Sequence, residues 1–303
     1  MKRFSIWLIL VLVGFVSGNA CEVISAAEVD YANIINLAGR QRMLTQKMSK
    51  EIFLIAWNID VNKNKEELKK TADTFDRTLN GLINGDKELG LPSAGNQDII
   101  KQLNNVKSLW NDFKVLVDET VASGRTSESI IKKVSVLNLP FLDECDEVVT
   151  MYEVESEQVA EKGGALVINL AGKQRMLTLK ITKEFLLITL NVNAEENKLR
   201  LKRTAYLFER TLNGLIKGDK YLKLQPSTNK AAIQQLSKVQ SLWKEFKEPI
   251  DTAINTGKWS QDSMRKIADL NLPLLTEMHK AVRIFEEEYH PGIATGRDVW
   301  TTY

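Results

Sequence analysis

Thirteen residues of this chain are written twice, and that duplication limits the possible folds more than any bulk property does. Ile35-Asn-Leu-Ala-Gly-Arg-Gln-Arg-Met-Leu-Thr-Gln-Lys47 returns as Ile168-Asn-Leu-Ala-Gly-Lys-Gln-Arg-Met-Leu-Thr-Leu-Lys180, changed only at Arg40/Lys173 and Gln46/Leu179, at an offset of 133 residues. A repeated sequence unit implies a repeated structural unit. The echo continues downstream. Phe75-Asp-Arg-Thr-Leu-Asn-Gly-Leu-Ile83 recurs from Phe208 to Ile216, Ser108-Leu-Trp110 recurs as Ser241-Leu-Trp243, and Asn138-Leu-Pro140 recurs as Asn271-Leu-Pro273.

Apolar spacing inside each copy is helical. Leu68, Ala72, Phe75, Leu79 and Leu82 step by three and four residues, as do Ile99, Leu103, Val106, Trp110, Phe113 and Val117. Copy two answers with Leu236, Val239, Trp243, Phe246 and Ile250. No β-branched alternation bounded by turn residues is present, so strands are not expected. Asn64 ahead of Glu66 and Glu67 reads as a helix start. Gly85-Asp86 with Gly90-Leu-Pro92, and Ser123-Gly124, read as helix ends. Pro140 and Pro273 fall inside the fourth helix of each copy, where a kink is expected in preference to a break.

The fold class is therefore all-α, with two tandem antiparallel four-helix bundles joined by short turns. The expected layout is a signal peptide over 1–27, bundles over 28–161 and 165–290, and a polar tail over 291–303. Glu161-Lys-Gly-Gly164 at the junction favours a chain reversal, which would set the bundles side by side with their first helices parallel.

Lys2 and Arg3 precede an apolar run from Phe4 to Val16, and Ser25-Ala26-Ala27 offers a cleavage site. The run is shorter than the ~20 residues of a spanning helix. An exported, periplasmic protein is expected, with lipidation at Cys21 as an alternative anchor, and no second apolar run of spanning length follows. The net charge of +2, from 41 basic and 39 acidic residues, gives no footprint for a nucleic-acid partner. Cys145 lies in the series Ile131, Val134, Phe141, Cys145, Val148, Tyr152 and reads as core.

Placed on a helix, the repeated motif divides into faces. Ile34, Leu37, Leu44 and Met48 belong to the bundle core, with Gln41 interrupting them. Ile35, Ala38, Arg42, Thr45 and Ser49 form a neighbouring stripe of mostly small residues that suits another helix, with room beside Arg42 at Ala38 and Gly39. Ala171, Gly172 and Arg175 are the equivalents in copy two. A guanidinium at such a contact is costly unless paired, and its planar fork of donors matches an oxyanion. The nearest downstream acids on the same helices are Glu51 and Glu184, so an exogenous anion is one candidate partner. The plainer alternative leaves Arg40, Lys47, Lys173 and Lys180 as solvated cations and pairs Arg42 with Glu144 or Asp146 on another helix.

The string N-x-A-G-R-Q-R-M-L-T-Q-K, followed by a four-helix unit in each copy, resembles the PilJ-type domain, the N-terminal sensory module of type IV pilus methyl-accepting chemotaxis transducers. That domain is related to the periplasmic sensor domain of NarX-like nitrate/nitrite kinases. The resemblance implies that Arg42 and Arg175 match the arginine that contacts the anion in the nitrate-sensing relatives, and Gly39 and Gly172 match the glycine of its signature; Arg40 and Lys173 join them as candidate ligand-binding residues. It also implies a membrane-bound receptor or a pilus component as partner. Leu179 in place of Gln46 makes any shared site asymmetric.

Only His279 and His290 are present, both remote from the motif in sequence, and no zinc, haem, phosphate-loop or hydrolase signature occurs. No cofactor, metal site or catalytic residue is expected. Glu286-Glu-Glu288 reads as a solvated helix end. Two functions stand side by side. One is an exported, non-enzymatic sensory protein binding a nitrate- or nitrite-like oxyanion between its bundles. The other is a helical interaction module that docks to an envelope partner and takes no small ligand.

Overall fold

The computed structural model describes residues 29–157 and 164–289. The expected signal peptide, Cys21, His290, the polar tail and most of the junction lie outside the described residues. In chain order the elements are α1 (Tyr31–Ala56), α2 (Val61–Asn84), β1 (Gly85–Asp86), β2 (Leu91–Ser93), α3 (Gln97–Ser123) and α4 (Glu128–Glu157). The second copy supplies α5 (Gly164–Thr189), α6 (Ala194–Lys217), β3 (Gly218–Asp219), β4 (Leu224–Pro226), α7 (Lys230–Thr256) and α8 (Gln261–Tyr289). Among the described residues the fold is all-α apart from two very short ribbons.

Each copy is a four-helix bundle. Helix α1 packs on α2 and α4, and α3 closes the square, with α5 to α8 arranged in the same way. The predicted stripes face inward: Leu68, Phe75, Leu79, Leu103, Trp110 and Phe113 are all buried. Phe75 contacts Trp110 at 4.8 Å and Phe141 at 5.1 Å between ring centroids, which knits α2, α3 and α4 together. In copy two Phe208 meets Trp243 at 4.4 Å. Leu274 stands where copy one has Phe141.

Helix ends follow local chemistry. Asn96 and Asn229 cap α3 and α7, each accepting from the backbone N–H groups two and three residues on. Gly124 and Gly257 end those helices at φ 62° and 67°, in the left-handed region that glycine enters without strain. Helix α4 is continuous through Pro140 and α8 through Pro273.

Two local expectations are corrected. Helix α2 starts at Val61, after Asp60 in the left-handed region at φ 42°, and Asn64 lies inside it. The Asn64 side chain reaches back to the Ile59 carbonyl at 2.8 Å, closing the turn and leaving the helix start to Asp60. Strands also occur, although none was expected. Asp86 pairs with Leu91 and Asp219 with Leu224, in ribbons too short to leave a period-two pattern in the sequence.

The bundles join through α1 and α5, which lie against each other along their length. Arg42 reaches Asn169 near the start of α5, Arg175 reaches Asn36 near the start of α1, and Trp57 meets Thr189 where both helices end. The two helices are therefore parallel and the bundles stand side by side. Enclosed by α2, α4 and α5, helix α1 is buried at every position from Leu37 to Ile55. A helix with that much polar content can be enclosed only if its polar groups are satisfied inside the protein.

Candidate functional site

The repeated motif lies in this seam. Gln41 and Gln174 turn inward and donate to the backbone carbonyls of Phe75 and Phe208, at 3.1 and 3.0 Å. Each glutamine thereby ties the first helix of its bundle to the second. Lys47 is buried, with its ammonium shared by Glu51 at 2.6 Å, Glu67 at 2.9 Å and the Thr71 hydroxyl at 2.8 Å. Lys180 pairs with Glu184 and bonds Thr204 at 3.1 Å. The picture of Lys47 and Arg40 as solvated cations is corrected, because Arg40 is buried too. Glu51 and Glu184 serve the lysines, which leaves the arginines to find partners on other helices.

Arg42 finds its carboxylate on α4. Its Nη1 lies 2.5 Å from Asp146 Oδ1, its Nη2 donates to Asn169 Oδ1 at 2.7 Å, and its Nε donates to the Gly39 carbonyl at 3.4 Å. Asp146 is thus the cross-helix acid, while Glu144 is bound to Gln102 at 2.6 Å. Lys173 of the second motif copy adds a contact to Asp146 at 3.4 Å. Burial alone would raise the Asp146 carboxyl, but Arg42 and Lys173 hold it below the ordinary carboxylate range.

The arginines are boxed in by small residues. A Cβ added to Gly39 would fall 2.9 Å from Arg42 Nη2, and one added to Gly172 would fall 3.3 Å from Arg175 Nη2. Gly39→Ala is expected to lose about 1 kcal/mol despite alanine's better helix propensity, because the pinned guanidinium must leave Asp146. Gly172→Ala is expected to be neutral or stabilising. Urea midpoints of the two variants provide the check.

Arg175 repeats the geometry with one substitution. Its Nη2 donates to Asn36 Oδ1 at 2.7 Å, the mirror of Arg42 on Asn169. Its Nη1 lies 3.2 Å from Nδ1 of His279, which stands where copy one has Asp146. Burial, then Arg175, Arg283 and Arg40, push the His279 imidazole down to about 2, so it is neutral. Burial lowers Arg175 to about 10, with Glu286 opposing the shift. Glu286 is buried and its carboxyl is raised by that burial, which corrects the expected solvated helix end. Its counterpart Glu153 is raised for the same reason. Remote in sequence from the motif, His279 is folded directly against it.

Among the described residues the first half of the seam sets Arg42 and Lys173 against Asp146 and Glu153. The second half sets Arg40, Arg175 and Arg283 around neutral His279 and Glu286. The second half thus holds an uncharged imidazole where the first holds the Asp146 carboxylate. The family described as type IV pili methyl-accepting chemotaxis transducer N-terminal domain matches residues 24–136 and 160–267, one segment per bundle. The chain belongs to this family.

Relatives include Protein PilJ of Pseudomonas aeruginosa, 26% identical over 233 residues, which cover 73% of this chain and 32% of that protein. Methyl-accepting chemotaxis protein McpN of the same organism is 24% identical over 125 residues, 41% of this chain and 23% of that protein. The chain thus spans about a third or less of the length of these relatives. Among the described residues no helix is long and apolar enough to cross a membrane.

Proposed function

We propose that this protein is a non-enzymatic sensory and interaction module of the cell envelope, exported to the periplasm, whose two bundles respond as one unit. The reading rests on the seam. Arg42 and Arg175 cross between the bundles in opposite directions, and Lys50, Lys183 and Trp57 cross beside them. A change of packing in one bundle must therefore disturb hydrogen bonds in the other. Family membership supports a membrane-bound chemoreceptor or a pilus component as the partner. Immobilised full-length protein should bind the purified pilin, or the periplasmic part of a chemoreceptor, from the same envelope. Failure to bind either would count against the reading.

The replacement of Asp146 by His279 favours a small oxyanion as ligand, held in the second half of the seam. There a neutral imidazole takes the place of the Asp146 carboxylate beside the Arg175 guanidinium, whose planar fork of donors matches an oxyanion. Nitrate and nitrite are the first candidates. A ligand that binds only the folded state adds RT ln(1 + [L]/Kd), about 2.7 kcal/mol at a hundredfold excess over Kd. A thermal-shift screen with nitrate, nitrite and sulfate should raise Tm for one of them. His279→Asp should abolish that rise by supplying the carboxylate internally, and a Tm unmoved by every anion would refute this second reading.

A further inference from the structure

The two bundles also differ on their outer faces, at a tryptophan that repeats exact in sequence and unequal in bonding. Trp110 donates its indole N–H to Asp76 Oδ1 at 2.8 Å. Trp243, its counterpart, is only 4% exposed, and its Nε1 has no hydrogen-bond partner among the described residues. The rings sit alike in both copies, tilted against Phe75 and Phe208 at 45° and 37°. Position 209 is the counterpart of Asp76, the acceptor of the Trp110 indole N–H in copy one.

The difference comes from one methylene. Position 209 is Glu, and its longer side chain swings away to Lys247, with both oxygens within 3.3 Å of Nζ. In copy one the equivalent Lys114 is held by Asp118 at 2.6 Å, which leaves Asp76 to the tryptophan. Trp243 and Glu209 line a groove of about 720 Å³ between α6 and α7, within the size range of small-ligand sites. A buried donor without an acceptor has lost its hydration and gained nothing in return, so a ligand acceptor there gains what Asp76 supplies in copy one.

Further along the groove, the Gln240 amide donates to Asn213 Oδ1 at 3.0 Å, and Lys247 lies 3.8 Å from Asp251 one turn on, a loose pair that a zwitterion can replace with its own two charges. We propose that the α6–α7 groove binds a zwitterionic, peptide-like solute of amino-acid to dipeptide size. Its carboxylate or carbonyl accepts from Trp243 Nε1 beside Lys247, and its ammonium group faces Asp251. The site is separate from the seam and does not depend on the reading given for it.

The duplication supplies the control. In full-length protein carrying ¹⁵N-labelled tryptophan, free amino acids and simple dipeptides are titrated while the indole N–H resonances are followed. At least one member of the panel should move the Trp243 resonance saturably and leave Trp110 in place. Glu209→Asp rebuilds the copy-one arrangement and should weaken binding at least tenfold. Trp243→Phe keeps the ring and removes the donor, with the same consequence. If no member moves Trp243, if Trp110 moves equally, or if both variants bind as tightly as the parent, the proposal is wrong.

Discussion

Asp146→Ala is expected to destabilise the protein by about 2 kcal/mol, measured as the shift in a urea unfolding transition. The substitution leaves the Arg42 guanidinium at a helix contact with Asn169 and the Gly39 carbonyl but no hydrogen-bonded carboxylate. Breaking a fully buried ion pair costs about 3–5 kcal/mol because one charge stays behind. Here the lower figure applies, since the Asp146 side chain is 38% exposed and water can reach the vacated position. The double variant Arg42→Met with Asp146→Leu should recover most of the loss, because an apolar pair carries no desolvation penalty. His279→Ala should cost less than Asp146→Ala, since it removes an uncharged ring beside Arg175. Equal costs for Asp146→Ala and His279→Ala would mean that the carboxylate adds nothing beyond packing.

The fold could be read almost entirely from the sequence because its stripes are long and occur twice. Leu68 to Leu82 and Ile99 to Val117 leave a helical period that turn residues interrupt cleanly. The ribbons at 85–93 and 218–226 could not be read, since strands of two and three residues carry no period. Nor does composition separate a solvated cation from an enclosed one. Lys47, Lys50 and Lys183 look like ordinary surface lysines until α1 and α5 are packed against each other.

His279 is the instructive miss. Arg42 and Asp146 are 104 residues apart, as are Arg175 and His279. With Asp146 a candidate partner for Arg42, the 133-residue offset points to position 279 for Arg175. The copies differ here at a partner position, carboxylate against imidazole, which lies outside the repeated motif itself. The same comparison separates Trp243 from Trp110, and there the signal is a Glu where the other copy has Asp.

Raising the pH from 6 to 9 is expected to stabilise the protein relative to its Lys183→Met variant by about 2.5 kcal/mol. Lys183 is buried in the seam, where its ammonium donates to Asn138 Oδ1 across the bundles at 2.6 Å. That asparagine also holds Ser49 of α1 at 2.6 Å, so one side chain joins α4, α1 and α5. Burial pushes Lys183 down to about 7, with Glu184 and Asp143 opposing and Lys180 and Arg200 adding to the shift. The unfolded chain keeps its proton to the ordinary lysine value of 10.5. Between these two values the unfolded state binds more protons than the folded one, so stability rises with pH across that window and is flat below it. Lys50, its counterpart on α1, is lowered to about 8 by the same burial and is present in both proteins, so it cancels in the difference. The decisive measurement is the gap between the two stability curves at pH 6, 7, 8 and 9. A gap that stays constant would mean that Lys183 titrates alike in the folded and unfolded chains, and that the ammonium is not enclosed by the seam.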